Sequence, residues 1–207
     1  MAGGGRAPHE TDMPEHPRPP AANAASTLIS QQLYASRTVL IFGEITTELA
    51  EAVSAQLLAL AAAGPEPIRV LLHSPGGHVE AGDTIHDVLR FVGPVVRMLA
   101  SGWVASAGAL IFAAVPHPHR LSLPNTRFLL HQPLGGVGGP ASDVEIEARQ
   151  ISLMRQRLNR IFADATGQPY DKLLRDTDRN HWLSAPEALE YGLVSRIVAR
   201  AADLDAP

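Results

Sequence analysis

Three stretches of this sequence carry residue types that could do chemistry. Ser106 lies in Gly102-Trp103-Val104-Ala105-Ser106-Ala107-Gly108, where a predicted strand gives way to an apolar, small-residue helix expected from about Val104. Small neighbours at such a junction let a hydroxyl stand above a sheet while backbone N–H groups converge on it. The pattern is not Gly-x-Ser-x-Gly, because Val104 holds the first glycine's place, and taken alone such a serine is more often a helix start. His131 ends the apolar run Phe128-Leu129-Leu130 and precedes Gln132-Pro133. A histidine fixed at a strand terminus suits a general base, although a single histidine there is commonly structural. Ser74-Pro75-Gly76-Gly77 follows one predicted strand and precedes a helix. Backbone N–H groups without side chains at a helix start favour an anion, a phosphate or a tetrahedral oxyanion, and a plain tight turn is the equal alternative. The P-loop lysine is missing, since Lys172 is the only lysine in the chain. The remaining histidines show no metal-ligand spacing, so no metal is expected.

The elements that must position these groups read as alternating strands and helices. Thr38 to Phe42, Ile68 to Leu72 and Val95 to Ala100 are buried-type runs rich in branched side chains. Between them, Glu44 to Ala63 carries Leu49, Val53, Leu57 and Leu60 at helical spacing, and Val79 to Phe91 carries Ile85, Val88 and Leu89 on one face. Strand-helix-strand order implies a mainly parallel sheet with right-handed crossovers. Ser142 and Glu145 have the capping-box form and open the longest predicted helix, with a stripe at Ile151, Met154, Leu158 and Ile161. Its other face is rich in arginine and glutamate, so the helix is expected to pack along one seam and project. Ser184 and Glu187 repeat the capping box for a short final helix ended by Gly192.

Composition bounds the class. The 207 residues are 45% hydrophobic and 18% charged, which suits one self-sufficient core. The absence of cysteine excludes disulfides, a thiol nucleophile and thiolate metal sites. A formal charge of −4 argues against a nucleic-acid or anionic-lipid surface. Val104 to Val115, the longest mainly apolar stretch, is too short to span a bilayer. No basic segment leads an apolar run near Met1, so no secretory signal and a cytoplasmic location are expected. Residues 1–26 are proline- and glycine-rich with almost no aliphatics, and are expected to be a disordered tail or a propeptide; 27–200 form the domain and 201–207 a flexible C-terminal tail.

Taken together, Ser-Pro-Gly-Gly, the Ala-Ser-Ala-Gly serine and the run Leu129-Leu130-His131-Gln132-Pro133-Leu134-Gly135-Gly136 resemble the proteolytic subunit of the Clp protease, ClpP. The resemblance runs from about Arg37 to Val198. It includes the intervals of 29 residues from Gly77 to Ser106 and 25 from Ser106 to His131. It implies the ClpP/crotonase-like α/β fold: a repeated ββα superhelix with a mainly parallel sheet and a protruding handle helix. It implies Ser106 as nucleophile, His131 as base, and the N–H groups of Gly77 and Ala107 as oxyanion hole. The family's catalytic aspartate falls 49 residues beyond the histidine, where this chain has Asn180. Asparagine can hold an imidazole but brings no charge to stabilise imidazolium, so a serine endopeptidase of reduced or assembly-dependent activity is expected.

The resemblance also implies partners. Heptameric rings stacked as a tetradecamer, homogeneous or mixed with an aspartate-bearing paralogue, would meet through the handle, with Glu145, Asp178 and Arg179 at positions that pair across the rings. An AAA+ unfoldase such as ClpX, ClpA or ClpC would use ATP to feed unfolded polypeptide; the subunit itself needs no cofactor. The unfoldase pocket is aromatic in the family and has Arg69 and Leu71 here, which predicts poor docking by this subunit alone. Pro140, read as lying in the strand before the handle, is expected to loosen its pairing. Two rival readings are a catalytically weak structural or regulatory subunit of a mixed ring, and a crotonase-type acyl-CoA enzyme.

Overall fold

The computed structural model describes residues 21–136 and 138–204. It opens on helix α1 (Ala21–Ala35), so the expected tail is already helical from Ala21, and the rest of it lies outside the described residues. The chain then alternates through β1 (Thr38–Phe42), α2 (Thr47–Ala63), β2 (Ile68–Ser74), α3 (Val79–Phe91), β3 (Val96–Ala105) and α4 (Ala107–Ala113). After a 3-10 turn at His117–His119 come β4 (Arg120–Ser122), β5 (Arg127–Leu130), α5 (Ala141–Thr166), α6 (Tyr170–Asp176), β6 (His181–Ser184), α7 (Ala185–Glu190) and β7 (Arg196–Ile197). Of the expected C-terminal tail, Ala201–Asp203 form a 3-10 turn, closed where the Arg200 N–H donates to Asp203 Oδ2 at 3.1 Å.

The main row of the sheet runs β1-β2-β3-β4-β7, all parallel. β3 is longer than its apolar run predicts, because it serves two neighbours. Met98 to Ala100 pair with β4, and Trp103 to Ala105 pair with β5, with Gly102 at φ +59° between the two halves. β6 then pairs antiparallel with β5. The fork makes β5 and β6 a two-strand branch of the same sheet, paired along the end of β3.

Alternation within the strands decides the core. Val39, Ile41, Ile68, Val70, Leu72 and Met98 point inward and are buried against Val53, Leu57 and Leu60 of α2 and Ile85 and Leu89 of α3. Every residue of α4 is buried, and Phe112 meets Phe128 of β5 with ring centroids 5.4 Å apart. The apolar stretch Val104 to Val115 is therefore a core element, as its length requires. On the opposite face of the sheet, Leu40, Leu71, Leu99 and Leu121 stand in register across β1 to β4.

Helix α5 has 26 residues, about 39 Å of helix. Its buried residues, Leu158, Asn159 and Phe162, all lie in the C-terminal half, so the N-terminal half projects as the alternating stripe and charged face predict. The root is tied down by a two-pronged ion pair, Arg157 to Asp83 of α3, at 2.5 and 2.6 Å, and by Arg120 of β4, whose Nη2 donates to the Ala165 carbonyl at 2.5 Å. Two expectations fail here. The helix begins at Ala141 with Pro140 as N-cap and no side-chain cap, so the Ser142–Glu145 box does not form. Pro140 belongs to the helix start and not to a strand, since its ring fixes φ near the value a helix entry needs. The Ser184–Glu187 box does form, at the start of α7.

Candidate active site

Ser106 sits between β3 and α4 with φ +55° and ψ −119°, one of two non-glycine residues at positive φ among those described. Such a conformation persists only where its surroundings over-determine it. The Ser106 N–H donates to the Leu129 carbonyl of β5 at 3.0 Å, and its carbonyl accepts from the Leu110 N–H of α4 at 3.1 Å. Gly76 closes the third side. A Cβ there would stand 2.7 Å from Ser106 Cβ and 3.3 Å from Oγ, and Gly76 itself has φ +104°, so a side chain is excluded twice over.

The Ser-Pro-Gly-Gly turn is held by a parallel bridge between Ile45 and Gly77. In it the Ile45 N–H donates to the Gly76 carbonyl at 2.8 Å, and the His78 N–H donates to the Ile45 carbonyl at 2.9 Å. The bridge leaves the Gly77 N–H out, on an exposed residue. A Cβ on Gly77 would overlap the Ile45 carbonyl. Ala107, the first residue of α4, contributes one of the N–H groups that have no partner within their own helix. The turn and the helix start thus bring two backbone donors to either side of Ser106.

His131 and Asn180 meet through strand register. β5 and β6 run antiparallel with Leu130 opposite His181, which carries His131 opposite Asn180 one step on. Burial pushes the His131 imidazole below its ordinary pKa, and the side-chain hydrogen bond it donates to Asn180 pulls it partly back up. The Nε2 atom of His131 is buried and has no hydrogen-bond partner, so in the single chain it makes no bond to Ser106 Oγ.

Three contacts that the sequence reading did not single out lock the Asn180 loop. The Gln132 N–H donates to the Thr177 carbonyl at 2.7 Å, and Gln132 Nε2 donates to the Asp178 carbonyl at 2.8 Å. Arg155 of the handle donates to Asp178 Oδ1 at 2.9 Å. Gln132 was legible as part of the histidine run; Arg155 was hidden among the arginines of the handle's charged face. Trp103 of β3 and Trp182 of β6 stack across β5 with centroids 5.6 Å apart, and Arg127 lies 4.4 Å over the Trp182 ring. Of the expected ring-contact residues, Glu145 and Arg179 are exposed, while Asp178 is engaged within the chain by Arg155.

No group of three or more histidine, aspartate or glutamate side chains among the described residues could hold a metal ion. No described helix is long and apolar enough to cross a membrane.

A strained serine at a strand-helix junction, a histidine at the next strand's end and backbone donors on both sides form the layout of an α/β serine hydrolase. The Clp protease family model matches residues 21–201. The ATP-dependent Clp protease proteolytic subunit 3 of Rhizobium johnstonii is 62% identical over 172 residues, covering 83% of this chain and 89% of that protein. The proteolytic subunit 2 of Gluconobacter oxydans is 54% identical over 202 residues, covering 93% and 91%. Two solved structures, ClpP1 from Listeria monocytogenes and an asparagine-to-aspartate mutant of it, are 50% identical, with TM-scores of 0.78 and 0.81. Each covers 86% of this chain and 99% of its own. The chain belongs to the Clp protease family, whose proteolytic subunits are serine endopeptidases that form chambered rings and work with Clp ATPases.

Proposed function

We propose that this subunit cleaves unfolded polypeptide with Ser106 as nucleophile, His131 as general base and Asn180 as the group that orients the imidazole. The Asn180 side-chain oxygen accepts Nδ1–H, which leaves the Nε2 lone pair to take the Ser106 proton as Oγ attacks the peptide carbonyl. The N–H groups of Gly77 and Ala107 receive the oxyanion. His131 returns the proton to the leaving amine, and water repeats the sequence on the acyl-enzyme. No cofactor enters; ATP is consumed by an AAA+ unfoldase such as ClpX, ClpA or ClpC.

The observation that carries this reading is His131 Nε2, buried and without a partner, at the end of the strand whose Leu129 carbonyl holds the Ser106 N–H. With Nδ1–H held by Asn180, that atom carries the lone pair, and a movement that brings it to Ser106 Oγ completes the pair. Assembly supplies the movement: heptameric rings, stacked as a tetradecamer through the α5 handle, press on the Asn180 loop through Arg155 and Asp178. Mixed rings with an aspartate-bearing paralogue compensate for a neutral Asn180. The work is cytoplasmic, and unfoldase loops dock on the Leu40-Leu71-Leu99-Leu121 face, weakly because Arg69 and Leu71 stand in place of two aromatic walls.

The test is labelling of Ser106 by a serine-reactive fluorophosphonate, read by intact mass on the chain alone and mixed with a paralogue. Labelling alone marks a peptidase in its own right, and labelling only in the mixture marks activation by assembly. A second reading, a structural subunit of a mixed ring, is favoured by the neutral Asn180 and is the outcome if rings form but Ser106 stays unlabelled in both.

A further inference from the structure

A cavity of about 450 Å³ opens between α3, the chain after α4 and the root of the handle, and none of its lining residues belongs to the Ser106 site. Two of the lining side chains are more than nine-tenths withdrawn from water: Arg120 is 1% exposed and His86 6%. Arg120 donates from Nη2 to the Ala165 carbonyl, while its Nε and Nη1 are buried with no hydrogen-bond partner. Burial without a counter-charge draws the guanidinium pKa down to about 10. Arg90, one turn beyond His86 on α3, adds a second cation at the exposed edge of the cavity. The single carboxylate in the lining, Asp164, is exposed and forms no ion pair with either arginine. A buried cation with unused donors calls for an ion or a polar group to answer it, because the desolvation cost is otherwise unmet.

His86 narrows the chemistry of that ion. Its Nδ1–H donates to Asp87 Oδ1 at 2.9 Å, since a carboxylate can only accept. In the neutral ring this makes Nε2 an acceptor, and that atom too is buried without a partner. The cavity therefore offers cationic donors and one buried acceptor together. A fully ionised oxyanion would satisfy the arginines but set lone pair against lone pair at His86. Hydrogen phosphate answers both, because it carries negative charge, several acceptor oxygens and one P–OH donor. We propose that this cavity binds inorganic phosphate, with Arg120 and Arg90 donating to its oxygens and its P–OH donating to His86 Nε2.

The experiment titrates inorganic phosphate against the assembled protein, with ionic strength held constant by sodium chloride, and reads binding from the phosphorus NMR line width. A Kd below about 1 mM is expected. Sulfate has the same shape and charge but no proton to give, so as a competitor it is expected to bind at least about tenfold more weakly. Arg90→Gln is expected to weaken phosphate binding at least about fivefold, and Asp164→Asn to tighten it severalfold by removing the one like charge. Arg120→Gln is expected to abolish binding. Because Arg120 also holds the Ala165 carbonyl, the two exposed substitutions decide the matter if that variant does not fold. No broadening at millimolar phosphate, sulfate binding as tightly as phosphate, or a Kd that neither Arg90→Gln nor Asp164→Asn moves each overturns the proposal.

Discussion

Asn180 is where the chemistry of this chain turns. In the proposed mechanism His131 becomes imidazolium as it takes the Ser106 proton, and a neutral amide offers that cation a dipole in place of a charge. In the well-studied serine-protease triad, exchanging the aspartate for asparagine costs about 10⁴ in kcat, largely through the wrong tautomer. Here antiparallel register keeps Asn180 opposite His131, so geometry survives and charge does not. Asn180→Asp is expected to raise kcat/KM on a fluorogenic peptide by at least about tenfold. The sign on pH follows from the same contact. Burial holds the imidazole below its ordinary pKa, which favours its neutral, basic form. A carboxylate at 180 stabilises the protonated form, so the acidic limb of the kcat/KM profile moves to higher pH. An unchanged limb with an unchanged rate would show that Asn180 does not govern His131. The Ser106 backbone makes a second, steric demand. Gly76→Ala drives a methyl into Ser106 Cβ at 2.7 Å and forces an alanine to φ +104°. A loss of about 2–4 kcal/mol in urea unfolding is expected, together with at least tenfold slower fluorophosphonate labelling. Wild-type labelling would mean the turn can yield.

At the scale of elements, the site depends on the Asn180 loop being fastened to the handle. Arg155 and Asp178 form an ion pair whose side chains are 31% and 57% exposed, so its direct contribution to stability is at most about 1 kcal/mol. Its effect on position is larger, because Asp178 lies two residues from Asn180. Arg155→Ala is expected to shift the thermal midpoint by less than about 3 °C while slowing Ser106 labelling severalfold, with partial rescue by Arg155→Lys. Equal losses in stability and labelling would reduce the pair to a structural one. These dependencies also show what a sequence can reveal. β1 to β3 and their helices were legible because branched runs and helical spacing report burial directly. Ser106, His131 and the glycine turn were legible from type and spacing. The four residues of β6 gave no such signal, since His181-Trp182-Leu183-Ser184 neither alternates clearly nor forms an apolar run, yet this strand delivers Asn180. The two capping boxes read identically, but Pro140 started α5 before Ser142 could cap it, whereas Ser184 follows a strand and does cap. Helix α1 was lost because its alanine-rich start adjoins a proline-rich stretch.

For the whole molecule, the projecting half of α5 is the part with least reason to exist in a single chain. Ile146 and Leu153 are 57% and 49% exposed, and at a spacing of seven they share one face of the handle, two turns apart. Large apolar side chains held in water on a long arm mark a surface that another subunit covers. Removing each from solvent contributes on the order of 1 kcal/mol, and in a double ring the contact repeats for every subunit, so the sum reaches tens of kcal/mol. Ile146→Asp with Leu153→Asp deletes that term and sets like charges against each other across the two-fold axis. The substitutions touch no buried residue of the domain, so circular dichroism and the thermal transition of the subunit fold are expected to stay unchanged. Mass photometry is expected to show the tetradecamer falling to single rings, with Ser106 labelling falling in step because the Asn180 loop is fastened to the same helix. A tetradecamer that persists with both aspartates in place would move the ring-to-ring contact off this face of the handle. Single rings that label at the full rate would instead break the link between assembly and the His131–Asn180 pair, leaving the neutral asparagine sufficient by itself.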